Sequence, residues 1–314
     1  MISFDRLELL TSTKHIKGFD ESKFQTVSMN GKLQYYRYTQ KIPYVKIRID
    51  YEKDELVIEF TSKISEYGFY NLINESTIYE CLCSVPCLEF NGYVEDFIDD
   101  LEVLKCDVTK DVTFNDIRAL KRFANSNLKN YEKWKCSNYP NGFILRNTAS
   151  TQRHQRRLVI YNKGNELKLK RNKAFVDEVD NFDDGSFIEE YFREKVRFEM
   201  NIYTKEQIRK YLGIQDCNLM SVLKSDANPI LTLLNEILKE PAVNNRVIST
   251  MKDYHCELTL KDCDYDLGKV EAKIRNLTSK NTSITKMMKP YRELHQRLQK
   301  NNTDPAFDLR KLVG

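Results

Sequence analysis

The sequence has no run of about 18 apolar residues, the length that a membrane-spanning helix needs, and no secretory leader pattern. It also has no internal repeat and no low-complexity tract. We therefore expect a protein without a membrane partner in a cytoplasmic, reducing compartment, where its thiols stay free.

Histidine is scarce, and its spacing excludes one common kind of metal site. The chain has four histidines, all isolated from one another: His15, His154, His255 and His295. Since no His-hydrophobic-His pair occurs, a metal site built on two neighbouring strand histidines is excluded. His154 has arginines on both sides, and we interpret it as a phosphate contact rather than a ligand.

The eight cysteines lack the paired spacing of a zinc ribbon or knuckle. Cys81, Cys83 and Cys87 form a C-x-C-x3-C cluster, but no second matching pair follows it. Because Cys81 and Cys83 lie in the apolar stretch 78–85, we predict packed thiols rather than metal ligands.

Basic residues are concentrated in two stretches of an otherwise balanced chain. Hydrophobic residues make up 41% and charged residues 31% of the 314 positions, as in globular proteins of one large or two ordinary domains. The net charge is only +4, yet 151–173 contains Glu166 as its single acid among eight Lys or Arg, and 268–300 has nine basic residues against two acids. These basic stretches favour a partner with a phosphate backbone. The alternative interpretation is that their lysines and arginines only form solvated faces of helices.

Residue patterns predict a mixed α/β region followed by a helical one. Alternation with β-branched and aromatic residues predicts strands at 33–38, 44–51, 55–60 and 104–112, a hairpin at 131–147, and strands around Tyr161 and Glu199. Helices are predicted over 69–102, 116–125 (capped by Asn115), 217–225, 229–239, 241–252, 266–277 and 283–299, and Thr204, Gln207 and Gly213 mark the ends of another. We therefore expect an α+β fold with a mixed domain of strands and helices over 1–213 and a helical, basic region over 214–314 that would bind DNA through its phosphates.

The strand that contains Tyr161 offers a phenol and an amine. Alternation places Val159, Tyr161 and Lys163 on one face. A tyrosine phenol can attack a DNA phosphate and hold the strand as a phosphotyrosine, and a neighbouring lysine can lower the phenol pKa or contact the phosphate. The alternative is that Tyr161, one of 18 tyrosines, is a half-buried packing residue.

Carboxylates on other strands could hold a divalent cation that neutralises the phosphate. In the later strand, Val196, Phe198 and Met200 form an apolar face, and Glu199 lies on the opposite, polar face. The other candidate ligands are strand or near-strand carboxylates: Glu59, Asp107 and Glu166. Each strand carboxylate could instead be a solvated residue or half of a surface ion pair, such as Glu199 with Arg197.

Three motifs occur in the order found in a known family. They are Asn147-Thr148…Arg153-His154…Leu158-Val159-Ile160-Tyr161-Asn162-Lys163…Glu166-Leu167, then Val196-Arg197-Phe198-Glu199, then Ile208…Tyr211-Leu212-Gly213-Ile214. Over residues 147–214 the chain resembles the gene II/X replication initiators of filamentous phages and related plasmids. The acid-rich segment 176–194 is shorter than in that family, and the C-terminal part shows no match.

The resemblance implies an antiparallel-sheet nuclease domain similar to the HUH-type endonuclease fold without its histidine pair. It implies a rolling-circle replication initiator that nicks and rejoins DNA at the origin of a circular plasmid or phage replicon in a bacterial cell. The family's nucleophile falls on Tyr161, its companion lysine on Lys163, and its carboxylates on four residues that would bind Mg²⁺ or Mn²⁺: Glu59, Asp107, Glu166 and Glu199. A host polymerase and helicase would be further partners.

The predicted DNA contacts are mostly basic residues of the two stretches: Arg153, His154, Arg156, Arg157, Arg197, Lys286, Lys289 and Arg292. Two alternative functions remain open at this stage. One is a relaxase or transposase with the same chemistry on another DNA site. The other is a non-catalytic origin-binding protein, in which Tyr161 would be dispensable.

Overall fold

The computed structural model describes residues 2–29, 32–39, 44–129, 133–148, 156–180, 186–239, 248–278, 283–301 and 308–314. The described strands are β1 (Phe4–Thr11), β2 (Ile16–Phe19), β3 (Phe24–Met29), β4 (Lys32–Tyr38), β5 (Val45–Asp50), β6 (Glu55–Thr61), β7 (Leu88–Phe90), β8 (Glu102–Thr113), β9 (Trp134–Tyr139), β10 (Gly142–Asn147), β11 (Arg157–Asn162) and β12 (Lys195–Ile202).

Ten of these strands form one antiparallel sheet in the order β3-β4-β5-β6-β1-β8-β12-β11-β10-β9. The predicted hairpin at 131–147 is confirmed, since β9 pairs with β10, and the predicted strands at 44–51 and 55–60 pair with each other as β5 and β6. Strands β2 and β7 pair separately. The expected α+β class with a large antiparallel sheet is therefore confirmed.

The described helices are α1 (Ile78–Cys83), α2 (Ile117–Asn127), α3 (Lys163–Leu167), α4 (Lys173–Asp180), α5 (Ser186–Phe192), α6 (Lys205–Leu212), α7 (Leu219–Leu223), α8 (Pro229–Ile237), α9 (Met251–Asp262), α10 (Leu267–Leu277), α11 (Ile284–Asn301) and α12 (Leu309–Val313). A 3-10 helix covers Ser62–Asn71. No helix in the described ranges combines the length and the apolar character needed to cross a bilayer.

The two faces of the sheet differ in chemistry because side chains alternate along each strand. On β12, Val196, Phe198 and Met200 point into the main hydrophobic core, as the sequence predicts. Helices α2, α6, α7, α8 and α12 cover this apolar face and contribute to the same core. The opposite face carries Glu199 and Asp107, and we call it the polar face.

A smaller apolar cluster lies beside the polar face. Leu167 of α3, Phe175 of α4 and Phe192 of α5 pack against Phe69 of the 3-10 helix. Burying these side chains holds α3, α4 and α5 against the end of β12. This cluster supplies a wall beside the polar face.

The hydrophobic cores do not divide after residue 213, where the sequence predicts a domain boundary. Leu219 of α7, Leu233 of α8 and Leu309 of α12 are fully buried in the core of the sheet. Helices α9, α10 and α11 instead form a separate core with one another. The boundary itself stays a prediction, but part of the helical region supports the sheet.

Some predicted helix bounds are wrong. The segment 69–102 is mostly 3-10 turns and loops around the short α1, because Glu66 and Leu72 have positive φ and Pro86 follows. Helix α2 is capped by Asp116 rather than Asn115, through a bond from the Ala119 amide. Most of the predicted helix at 241–252 lies outside the described residues. The Thr204 cap and the Gly213 stop, at φ 66°, are confirmed.

His295 of α11 makes the stability of the C-terminal helices sensitive to acid. It is 4% exposed, and burial, then the nearby Lys239, lower its pKa to about 4. The neutral imidazole is thus favoured in the folded state, so its contribution is full above about pH 6.5 and is lost as the pH falls towards 4.

We expect the free energy of unfolding of the wild type to fall by about 2 kcal/mol more between pH 7 and pH 5 than that of His295→Gln, since one pKa unit is worth about 1.4 kcal/mol. Urea unfolding at both pH values measures the difference. Equal losses in the two proteins would show that His295 does not titrate across folding.

Candidate active site

Tyr161 lies on β11, in the middle of three paired strands, opposite Arg197 on β12 and Gly142 on β10. It is 7% exposed, and its hydroxyl donates a hydrogen bond to Glu199 Oε2 at 3.1 Å. Gly142 allows this placement, because a Cβ there would lie 2.7 Å from the Tyr161 Cβ and 2.2 Å from the Ile160 oxygen. The predicted nucleophile and one predicted carboxylate are therefore in direct contact.

A cavity of about 600 Å³ opens between the polar face and the wall formed by α3 and the 3-10 helix. We call it the central cavity, and Tyr161 and Glu199 are part of its lining. Among the described residues, five cationic side chains also line it: Arg6, Lys63, Arg157, Lys163 and Arg171. The acids in the lining are fewer: Asp5, Glu166 and Glu199. This excess of positive charge around a phenol suits an anionic ligand.

A line of polar contacts crosses the polar face of the sheet from strand to strand and reaches the central cavity at Glu199 and Arg6. Asn201 of β12 donates to Glu199 Oε1 at 3.2 Å and to Asp107 Oδ1 at 2.6 Å. Arg6 of β1 continues the line, with Nε 3.3 Å from Asp107 Oδ2. Asn201 and Arg6 lie directly opposite Asp107 in the sheet register, which is what brings these residues together.

Two carboxylates of this line carry raised pKa values. Burial, and then the neighbouring Glu199, raise the pKa of Asp107 to about 7. Burial and the nearby Asp5 raise the pKa of Glu199 as well. Like charges held close together in a buried site repel one another, so Asp107 and Glu199 would gain from a cation bound between them.

The phenol of Tyr161 is not activated by its surroundings alone. Burial, and then the Glu199 carboxylate, raise its pKa well above the ordinary value, and Arg197 is the main cation that opposes this. The predicted lowering by Lys163 therefore does not prevail. A neutral phenol that donates to a carboxylate needs that carboxylate to accept its proton before it can attack.

Lys163 does not lie on a strand, as alternation along the sequence suggests. It begins α3, because Asn162 ends β11 and caps the helix by accepting a hydrogen bond from the Asn165 amide at 2.7 Å. The Lys163 side chain is still buried in the central cavity, with Nζ 5.8 Å from the centre of the Tyr161 ring. The companion amine is thus placed beside the phenol by a helix start rather than by strand alternation.

Glu166 is held by cations and an amide. Lys163 Nζ and Arg171 each lie 3.0 Å from its carboxylate, and Asn172 Nδ2 donates to it at 2.8 Å. Burial acts to raise its pKa, but Lys163 and Asn172 outweigh this and lower the pKa to about 2. Glu166 therefore serves to fix Lys163, and its negative charge is already balanced.

The four carboxylates predicted as metal ligands are not gathered into one cage. No group of three or more His, Cys, Asp or Glu side chains in the described ranges is arranged to hold a metal ion. Glu59 lies on β6, at the end of the line of polar contacts, 2.7 Å from Lys46 and 3.7 Å from Arg6. Glu199 remains at the phenol, and Asn201 connects it to Asp107.

Arg197 is fully buried and does not face the surface, although it is among the predicted DNA contacts. Its Nη1 lies 2.6 Å from Asp5, and its Nε and Nη2 donate to Asp111 at 2.8 and 2.7 Å. The Arg197 guanidinium, held between two carboxylates, thereby connects β1, β8 and β12 next to Tyr161. Its role is to position the site, which corrects the prediction.

The other predicted DNA contacts fall in three places. Arg157 lines the central cavity and bonds to Asn201, whereas Arg156 lies outside it, 2.6 Å from Glu236. The basic residues of α11 are exposed: Lys286, Lys289 and Arg292. Arg153 and His154 lie outside the described residues.

Sequence reasoning missed several residues of the site. Asp5, Arg6 and Lys63 come from segments that no motif includes, and only the fold brings them to the cavity. Asn201 gave a usable signal, because it alternates with Glu199 on the polar side of β12.

No model of a known protein family matches this chain, and a comparison with curated proteins also gives no match. The function must therefore be argued from the site itself.

Proposed function

We propose that this protein is a DNA nicking and rejoining enzyme that acts through a covalent 5′-phosphotyrosine at Tyr161. The observation that carries the proposal is a buried phenol that donates to a carboxylate in a cavity whose described lining has more cationic than acidic side chains. A phosphodiester supplies the anion that these cations favour, and Tyr161 supplies the nucleophile.

Four residues would have separate roles in the proposed reaction. Glu199 Oε2 takes the proton of Tyr161, with which it already shares a hydrogen bond. Lys163 and Arg157, on opposite sides of Tyr161 along the chain, offer positive charge to the phosphate oxygens. Arg197 holds the strands so that phenol and carboxylate keep their separation.

We also propose a divalent cation beside this set. Mg²⁺ is often held by one or two carboxylates, with its other positions filled by water and phosphate oxygens. Asp107 and Glu199, whose pKa values are raised by burial and by neighbouring negative charge, match that donor set. When bound, Mg²⁺ or Mn²⁺ would neutralise charge on the phosphate.

The biological setting that we propose is rolling-circle replication initiation at the origin of a plasmid or phage replicon. Support comes from the motif order around Tyr161 and from the antiparallel sheet that carries the site on one face, as expected for an HUH-like nuclease. Exposed Lys286, Lys289 and Arg292 on α11 would contact phosphates of the flanking DNA.

The direct test is to incubate the protein with supercoiled DNA that bears the origin of its own replicon, in the presence of Mg²⁺ or Mn²⁺. We expect nicked circles that carry covalently linked protein, and loss of nicking in EDTA. Asp107→Asn should need more metal for half-maximal nicking, because the neutral amide is a poorer ligand for a hard cation.

Glu75→Gln is a matched control, since this partly exposed acid is not among the described lining residues of the central cavity and pairs with Lys224. Nicking that is unaffected by EDTA would contradict the metal requirement. Binding of origin DNA without any nicking would instead favour the non-catalytic alternative. Efficient nicking at a transfer origin or a transposon end, rather than at a replication origin, would favour the relaxase or transposase.

A further inference from the structure

Lys63 belongs to a part of the central cavity that the sequence motifs do not include. It is the second residue of the 3-10 helix and lines the cavity together with Tyr161. Its Nζ donates to Asn172 Oδ1 at 2.8 Å and lies 4.8 Å from the centre of the Phe175 ring. These two contacts hold the amine against the residues that follow α3, whereas the phenol is carried by β11.

The charge of Lys63 is less neutralised than that of its neighbours. Lys163 and Arg171 share Glu166, each at 3.0 Å. Within the part of the chain that the structure describes, Lys63 makes no ion pair with a carboxylate. An ammonium has three N–H donors, so two remain for a ligand in the cavity beyond the bond to Asn172.

The surroundings also make this amine easier to deprotonate than an ordinary lysine. Burial, and then the nearby Lys163, lower the pKa of Lys63 to about 8. The amine is therefore mostly protonated at pH 7, yet it can release and recover a proton within a catalytic cycle. An exposed lysine, with a pKa near 10.4, is a much weaker acid.

We propose that Lys63 is the general acid that protonates the departing 3′ oxygen when Tyr161 attacks the DNA phosphate. This inference rests on the proposed nicking activity and adds the residue that completes it. A strand break that leaves a free 3′ hydroxyl requires a proton at that oxygen, and Lys63 is a cationic donor that lines the same cavity as the nucleophile from a separate element.

The step balances as follows. The proton of Tyr161 passes to Glu199, and the phenolic oxygen forms a bond to phosphorus. The bond from phosphorus to the 3′ oxygen breaks, its electron pair stays on that oxygen, and the oxygen takes a proton from Lys63 Nζ. For rejoining, the neutral amine accepts the proton of the 3′ hydroxyl, and Glu199 returns its proton to the tyrosine.

A substrate with sulfur in place of the bridging 3′ oxygen tests this role, because a thiolate leaves without protonation while an alkoxide does not. On ordinary DNA, we expect Lys63→Met to slow cleavage by about 10²- to 10⁴-fold, the usual contribution of a general acid. On the sulfur substrate, the same variant should cleave at close to the wild-type rate. Lys63→Arg should behave similarly, since guanidinium keeps the charge but does not release its proton.

Lys17→Met is the matched control, since Lys17 is an exposed lysine of β2 paired with Glu89. It should leave both rates unchanged. Equal slowing of both substrates by Lys63→Met and Lys63→Arg, or no slowing of either, would overturn the proposal. Cleavage of both substrates by Tyr161→Phe would instead overturn the proposed function together with this inference.

Discussion

Tyr161→Phe should abolish both nicking and the covalent protein–DNA product, with a loss of at least about 10⁴-fold in cleavage rate. The substitution removes only the phenolic oxygen, which is both the proposed nucleophile and the donor to Glu199. The ring would stay packed on β11, so the loss should be chemical rather than structural. Gel assays for nicked circles and for protein-bound DNA measure it.

Tyr38→Phe is the matched control, because Tyr38 is also 7% exposed and lies on the same sheet, far along it on β4. It should nick as the wild type does. Tyr161→Phe should keep its affinity for origin DNA, and its unfolding free energy should change by no more than about 1.5 kcal/mol, the contribution of one hydrogen bond. Full nicking by Tyr161→Phe would exclude this residue as the nucleophile.

Arg197→Met should have the largest effect on stability, a loss of about 3–5 kcal/mol in the free energy of unfolding. Arg197 is completely buried, and it is the ion-pair partner of both Asp5 and Asp111. Methionine fills similar space but leaves two carboxylates in a buried site without their cation. Burial tends to raise the pKa of Asp5, and Arg197 is the main group that keeps it low.

Urea unfolding at pH 7 measures this loss. Lys195→Met is a control on the same strand, since Lys195 is a partly exposed residue that bonds only to the Thr113 hydroxyl among its described hydrogen-bond partners. Its loss should stay below about 1 kcal/mol. If Arg197→Met were as stable as this control, the buried fork would not hold the strands together.

Much of the sheet could be predicted from the sequence, because alternation is a local property that each strand shows by itself. On β12, the pattern of Val196, Phe198 and Met200 against Glu199 gave both faces correctly. The direct contact between Tyr161 and Glu199 could be predicted from the sequence only in part. It needs β11 and β12 to be neighbours in one particular register, and the two strands are separated by α3, α4 and α5.

The sequence could not show that the predicted metal ligands are separated or that Arg197 is buried, and the reason is different. Whether a carboxylate is available depends on which cations the fold brings to it. Glu166 is balanced by Lys163, and Glu59 by Lys46. For Lys163 itself, the sequence does contain a signal: Asn is a favoured N-cap residue, and a helix that Asn162 caps ends the strand before Lys163.

The pairing of Arg197 with Asp5 spans 192 positions of the chain and has a consequence for synthesis. The site therefore depends on both β1 and β12, with β8 between them in the sheet. The ribosome makes β1 well before β12. Contacts of such large sequence separation form slowly and only once both partners exist. A nascent chain that has not yet reached β12 therefore holds no assembled phenol–carboxylate pair, so the proposed nicking activity would require that β12 has been synthesised.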